Sequence, residues 1–376
     1  MTGAATGTGV RRRHRRGVLV ALSALLLIMV ASASLAGSGL LADSYRVRAA
    51  DDRRVPLAVL GDSDSHGYRD SLAFPPGSAA RGGRYRQAAA QWTEVLDELA
   101  GDRVDCGDFG IWGGRQSVVR ALEAIGCERR APRKQDHQFN LAFSGARCAD
   151  LLRGPRRQVP RLLTLMAEEP ARWRGGVVVI RIGIVDLGGE PQLDRMATDP
   201  DDAELAATVA SCIADITAAR AAIRAAHPQT RVVLVGLFDN AEVPSFQERW
   251  RTRLATSNRR AVLDRFDGAL RALAAADSLT AFFDDRAWFA ARWGGRDDDG
   301  VPAYRAVQLA GLRVEHGAGD EPTHTALADG HAGLVVNAVW AQSLSRLLAE
   351  ELQLPVRPIT DAEVETFVRG RYPAAR

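Results

Sequence analysis

The stretch Val55-Pro56-Leu57-Ala58-Val59-Leu60-Gly61-Asp62-Ser63-Asp64-Ser65-His66-Gly67 decides the fold. An apolar run without helical spacing, closed by a glycine and a string of short polar side chains, reads as a buried strand entering a loop. The same pattern recurs at Asn140 to Phe143, Val177 to Ile182, Val232 to Leu237 and Leu279 to Phe283. Between these runs, Ala89 to Leu99, Ala203 to Ala226 and Ala261 to Ala275 space their apolar residues by three and four, as helices do. The alternation predicts an α/β protein, a parallel sheet with helices on both faces forming a three-layer sandwich. Ligands of such sheets sit outside the carboxyl ends of the strands, where Ser63, Gly145, Asp186 and Asn240 all fall.

A serine at a strand end is a candidate nucleophile, but near neutral pH it needs a base, a group that orients the base and donors for an oxyanion. Asp329-Gly330-His331 precedes the last long helical segment, in which Val336, Trp340, Leu344 and Leu347 share one face. Docking of that face on the sheet would hold His331 beside Ser63. Asp320-Glu321-Pro322-Thr323-His324 offers a second histidine, set aside because no helix follows it directly. Ser144-Gly145-Ala146 and Gly183-Ile184-Val185-Asp186 each end an apolar run. No Gly-x-Ser-x-Gly surrounds Ser63, which excludes the nucleophile elbow of the α/β-hydrolases.

In this order, the four segments resemble the SGNH, or GDSL, hydrolase superfamily over roughly Leu57 to Leu348. The resemblance implies a flavodoxin-like sandwich and acyl transfer through an ester on Ser63. His331 would be the base, Asp329 its partner, and the backbone N–H groups of Ser63 and Gly145 oxyanion donors. Two departures stand out: Val185 occupies the place of the family's asparagine, and the last block reads Asp-x-His rather than Asp-x-x-His. Asn240, after the fourth strand, is the candidate to replace the missing amide. No cofactor is implied. The substrate expected is a small ester or an acylated glycan. Alternatives are an O-acyltransferase using the same site and a catalytically impaired glycan-binding or assembly module.

The net charge of +3 hides an asymmetry, because the only charged residues before position 37 are Arg11, Arg12, Arg13, Arg15 and Arg16. Without them the balance is −2, which gives no electrostatic reason to expect nucleic acid. The arginines lead into the uncharged apolar stretch Gly17 to Ala36, with small-residue cleavage sites at Ala31-Ser32-Ala33 and Ser34-Leu35-Ala36. Residues 1–36 thus read as a signal peptide or a membrane anchor, and either places the rest outside the cytoplasm. Residues 37–54 read as a connector and 55–376 as the hydrolase domain.

Of the four cysteines, Cys106 and Cys127 bracket a loop and short helix and suit a disulfide. Cys212 shares a helical face with Leu205, Val209, Ile216 and Ile223, as a buried small apolar residue would, with Cys148 left open as its partner. His66 with Asp62 and Asp64 reads as local hydrogen bonding rather than a metal site. Arg286 to Ala328 is a long insertion carrying Trp288, Phe289, Trp293 and Tyr304, either a platform for substrate or a satellite cluster.

Overall fold

The computed structural model describes residues 53–124 and 129–372. The export segment, almost all of the connector and Cys127 lie outside the described residues.

Five parallel strands make the central sheet: β1 (Val55–Gly61), β2 (Val104–Asp105), β5 (Val177–Arg181), β6 (Arg231–Val235) and β7 (Thr280–Phe283), in the order β2-β1-β5-β6-β7. This is the flavodoxin-like order, with the chain reversing its direction of travel across the sheet at β1. The intervening short strands β3 (Phe109–Trp112) and β4 (Lys134–His137) form a separate antiparallel ribbon.

All seven residues of β1 are buried because both faces of the sheet are covered, so the strand has no polar side to alternate with. The pleat still sorts them. Leu57 and Val59 face a core that includes Trp92, Val336 and Trp340, whereas Ala58 and Leu60 face Leu162, Ile216 and Phe266. The helices Trp92–Ala100 and Leu334–Glu350 cover the first face, and Ala203–Ala226 with Arg253–Ala275 the second. Val336, Trp340, Leu344 and Leu347 are all buried, as their spacing predicts.

Three expectations need correction. Asn140 to Phe143 is not a strand of its own. It completes the edge that the two-residue β2 leaves open, through Val59 N to Phe139 O (3.0 Å), Leu141 N to Val59 O (2.8 Å) and Phe143 N to Gly61 O (3.3 Å). The pairing is interrupted at Gly61, whose N–H donates to Gln158 Oε1 at 2.8 Å instead of to the neighbouring segment. The third long helix begins at Arg253 rather than Ala261, started by Thr252 accepting from Ala255 N, a cap that the apolar spacing alone does not reveal. Cys212 is not merely a buried apolar residue but joins Cys148 in a disulfide with Cα atoms 5.1 Å apart.

The insertion folds after β7 into the helix Asp285–Trp293, a hairpin of β8 (Gly294–Arg296) and β9 (Pro302–Tyr304), and a sheet of β10 (Val307–Leu309), β11 (Leu312–Ala318) and β12 (His324–Ala326). Strand β12 leads into the loop that carries Asp329 and His331.

Candidate active site

Ser63 sits in a single tight turn, closed by Ser65 N and His66 N on Asp62 O at 3.2 and 3.1 Å. Its entry is fixed by Gln158, whose buried side-chain amide bonds both Gly61 N and Gly61 O at 2.8 Å. Only glycine fits at 61, since a Cβ there would lie 2.2 Å from Arg181 O on the neighbouring strand. The turn's carbonyls are held by side chains from elsewhere. Trp92 Nε1 and Arg181 Nη1 each donate to Asp64 O at 3.0 Å, and Asn140 Nδ2 donates to Ser65 O at 2.8 Å. The outer parts of the turn are thus rigid, while Ser63 itself is half-buried.

Asp62 is sealed beneath the serine, 1% exposed, with Oδ1 accepting from Asp64 N and Oδ2 without a partner among the described residues. Burial, with the Asp64 charge adding to it, pushes its carboxyl up to about 8.

The second loop presents Gly145 at φ +81°, a left-handed conformation in which a Cβ would meet nothing but would strain the backbone. Among the described residues, the N–H groups of Ser63 and Gly145 bond to no acceptor. Most backbone N–H groups near a folded core have a partner. Ser63 and Gly145 are exceptions, each leaving a backbone N–H open on one of two loops joined by Phe143 N donating to Gly61 O at 3.3 Å and Ser144 N donating to His66 Nδ1 at 3.1 Å. The disulfide and Asp186, which accepts from Cys148 N at 2.9 Å, tie this loop to the helix Ala203–Ala226 and to the end of β5. Burial pushes the Asp186 carboxyl above its ordinary range against the pull of that N–H and of Arg147.

Val185 lies half-buried in the short helix Ile184–Leu187 and brings no donor. Asn240 lines the adjoining cleft, but its amide is engaged, Nδ2 donating to Gly188 O at 3.0 Å.

Asp329 and His331 stand on the loop between β12 and the helix Leu334–Glu350, Asp329 Oδ1 being 3.1 Å from His331 Nδ1. Tyr68 Oη, five residues beyond Ser63, donates to Ala332 O at 2.9 Å and fastens this loop to the nucleophile loop. Burial acts to raise Asp329, yet the hydrogen bond and charge of His331, with the Arg81 N–H and guanidinium, outweigh it and hold the carboxyl well below the usual carboxylate range. Ser63 Oγ has no hydrogen-bond partner among the described residues, His331 included. His324, on β12, is half-exposed, and its Nε2 lies 3.9 Å from Glu321 Oε2.

Sequence reasoning missed Arg81, Gln158, Tyr68 and the hydroxyl of Ser144. Arg81 is the most central of these. Its guanidinium donates to Asp329 Oδ2 at 2.7 Å and to Ser144 Oγ at 3.0 Å, joining the histidine loop to the oxyanion loop.

A cleft is lined by Asp64, Gly330, Phe238, Trp288 and Phe289. The insertion's aromatics therefore divide. Trp288 and Phe289 wall the cleft, whereas Trp293 is fully buried against Phe289 and Tyr304 stacks on His316 at 3.6 Å.

No family model matches the chain, and no curated protein is similar to it. Among solved structures it is similar to an acetyl esterase mutant with acetate ion, at 18% identity and a TM-score of 0.30, covering 66% of this chain and 88% of that one. An extracellular lipase from Streptomyces rimosus is similar at 18% identity and a TM-score of 0.33, over 76% of this chain and 99% of the other. A carbohydrate esterase family 3 structure from Talaromyces cellulolyticus is similar at 17% identity and a TM-score of 0.28, over 66% and 88%.

Proposed function

We propose that the protein is a serine ester hydrolase of SGNH/GDSL type, acting outside the cytoplasm on a carboxylic ester such as an acetylated glycan or a short-chain lipid ester. The observation that carries the reading is the pair of unbonded N–H groups at Ser63 and Gly145, on the two loops that meet the Asp329–His331 pair. The Cys148–Cys212 disulfide supports an oxidising compartment. So does the arginine-led apolar stretch from Gly17 to Ala36.

In this mechanism His331 Nε2 takes the proton of Ser63 Oγ as the oxygen attacks the ester carbon. The oxyanion is received by the two N–H groups, and His331 returns the proton to the leaving alcohol. Water then enters by the same route, giving up a proton to His331 as its oxygen attacks the acyl carbon, and His331 passes that proton to Ser63 Oγ as the acyl–oxygen bond breaks and the acid departs. Asp329 accepts from Nδ1–H and stabilises the imidazolium. Losing one oxyanion donor costs on the order of 10² to 10³ in rate, so Val185 predicts a slow enzyme rather than an inert one. The cleft walled by Trp288 and Phe289 would take the ester's apolar or sugar portion.

The same Val185 and the unmade Ser63–His331 contact favour one second reading, a glycan-binding module that has lost catalysis. Hydrolysis of p-nitrophenyl acetate separates the two. The hydrolase reading expects turnover that Ser63→Ala and His331→Ala abolish and His324→Ala leaves intact. Turnover indifferent to Ser63, or none at all, contradicts it.

A further inference from the structure

Arg81 takes a left-handed backbone conformation (φ 57°) that a residue with a Cβ adopts at a cost. Its guanidinium is 4% exposed and lies over the rings of Phe74, at 4.3 Å, and Tyr68, at 5.4 Å. No substrate reaches a cation so enclosed. Its partners are internal and belong to both halves of the site.

On one side, the Arg81 backbone N–H and Nη1 both donate to Asp329 Oδ2, at 2.8 and 2.7 Å, while Nη1 also lies 2.7 Å from His331 Nδ1. On the other side, Nη2 donates to Ser144 Oγ at 3.0 Å. Ser144 is itself anchored, its N–H donating to His66 Nδ1 at 3.1 Å and its Oγ lying 3.0 Å from the same nitrogen. A backbone N–H can only donate, so His66 Nδ1 is an acceptor and its proton sits on Nε2, facing Asp70 Oδ2 at 2.9 Å. Asp70, His66, Ser144 and Arg81 therefore form one buried line ending at the catalytic pair.

The same rule applied to His331 gives a conflict. Arg81 Nη1 carries only donors, so its contact requires the lone pair of His331 Nδ1. Asp329 Oδ1, 3.1 Å from the same nitrogen, requires a proton there. The two arrangements exclude each other. With Arg81 on Nδ1 the imidazole proton is on Nε2 and His331 cannot accept from Ser63. With Asp329 on Nδ1 the guanidinium falls back on Asp329 Oδ2 and Ser144 Oγ, and Nε2 is free to act as base.

Building on the hydrolase reading, we propose that Arg81 is a positioning residue that selects the tautomer of His331, with Ser144 as the acceptor that draws its guanidinium away. The charged and titratable groups facing the imidazole and the guanidinium are Asp329, on their own loop contact, Tyr68 from the nucleophile loop, and His66 through Ser144.

The test is nitrogen-15 NMR of the His331 ring in a Ser63→Ala background, which needs no activity and so separates this proposal from the hydrolase reading. Ser144→Ala removes the alternative acceptor and is expected to move the ring toward the Nε2–H tautomer. Arg81→Met is expected to move it toward Nδ1–H, since the donor that claims the Nδ1 lone pair is gone. Arg81→Lys, which keeps a cationic donor, is expected to return the ring toward its starting tautomer. If Arg81→Met proves unfolded, Ser144→Ala and Arg81→Lys still decide the matter. Ring shifts unchanged across the folded variants overturn the proposal, as does a Ser144→Ala ring that moves toward Nδ1–H.

Discussion

Replacing Asp62 with asparagine is expected to stabilise the protein at neutral pH and to leave its stability at pH 4 nearly unchanged. The side chain is enclosed, with one oxygen bonded to Asp64 N and the other without a partner among the described residues, and an asparagine oxygen can keep the first of these bonds. Burial raises the folded carboxyl from its ordinary value of 3.8 to about 8. The sign follows from linkage: a raised folded pKa means that the folded state holds a proton the unfolded chain has lost, so stability falls as pH rises from about 4 toward 8. Each pH unit inside that window costs about 1.4 kcal/mol, which makes the fall between pH 5 and pH 7 about 3 kcal/mol at most. Arg181 and the backbone N–H groups that meet the carboxylate once it ionises work against the fall. Urea unfolding of the parent and of Asp62→Asn at pH 4, 5, 6, 7 and 8 reads the difference directly. The two curves should converge at the acid end and separate steadily above pH 5. Parallel curves would refute the reasoning, for they would mean that Asp62 titrates alike in the folded and unfolded chain.

Val185→Asn should raise turnover of a small ester by roughly one to two orders of magnitude if the asparagine's amide reaches the oxyanion, a gain below the full worth of a donor because the surrounding pocket is shaped for valine. Asn240→Ala should cost little in kcat, since the amide is already committed to Gly188 O; a loss on the order of 10² in steady-state kinetics would show that Asn240 serves the oxyanion instead. Replacing Cys148 and Cys212 together by alanine opens a 64-residue loop and should lower unfolding stability by about 2–4 kcal/mol, with kcat falling because the Gly145 loop loses its tether. An unchanged urea midpoint in that variant would contradict the tethering role.

Much of the sheet was legible because buried parallel strands leave continuous apolar runs, and each strand's carboxyl end is marked by the glycine or short polar residues that follow. Ser63, Gly145, Asp186 and Asn240 could be placed at that edge by topology alone. What the sequence concealed is partner choice. Cys212 has the helical spacing of a core residue whether or not it is bonded, and its pairing with Cys148 depends on how the Gly145 loop crosses the helix Ala203–Ala226. Arg81 stands in an aperiodic Gly- and Arg-rich stretch, 248 positions from Asp329, and nothing local distinguishes it from the surface arginines around it. Gln158 reaches Gly61 across 97 positions in the same way. Such contacts are fixed by tertiary packing, and no propensity or spacing announces them.

The central claim is that Ser63 is the nucleophile, although Ser144 Oγ lies 3.0 Å from a histidine nitrogen and Ser63 Oγ has no such contact among the described residues. Reaction of the protein with a fluorophosphonate, followed by peptide mass spectrometry, tests it most directly. The account predicts a single adduct on Ser63, formed by the parent and lost in His331→Ala. An adduct on Ser144, or no adduct in the folded parent, would contradict it.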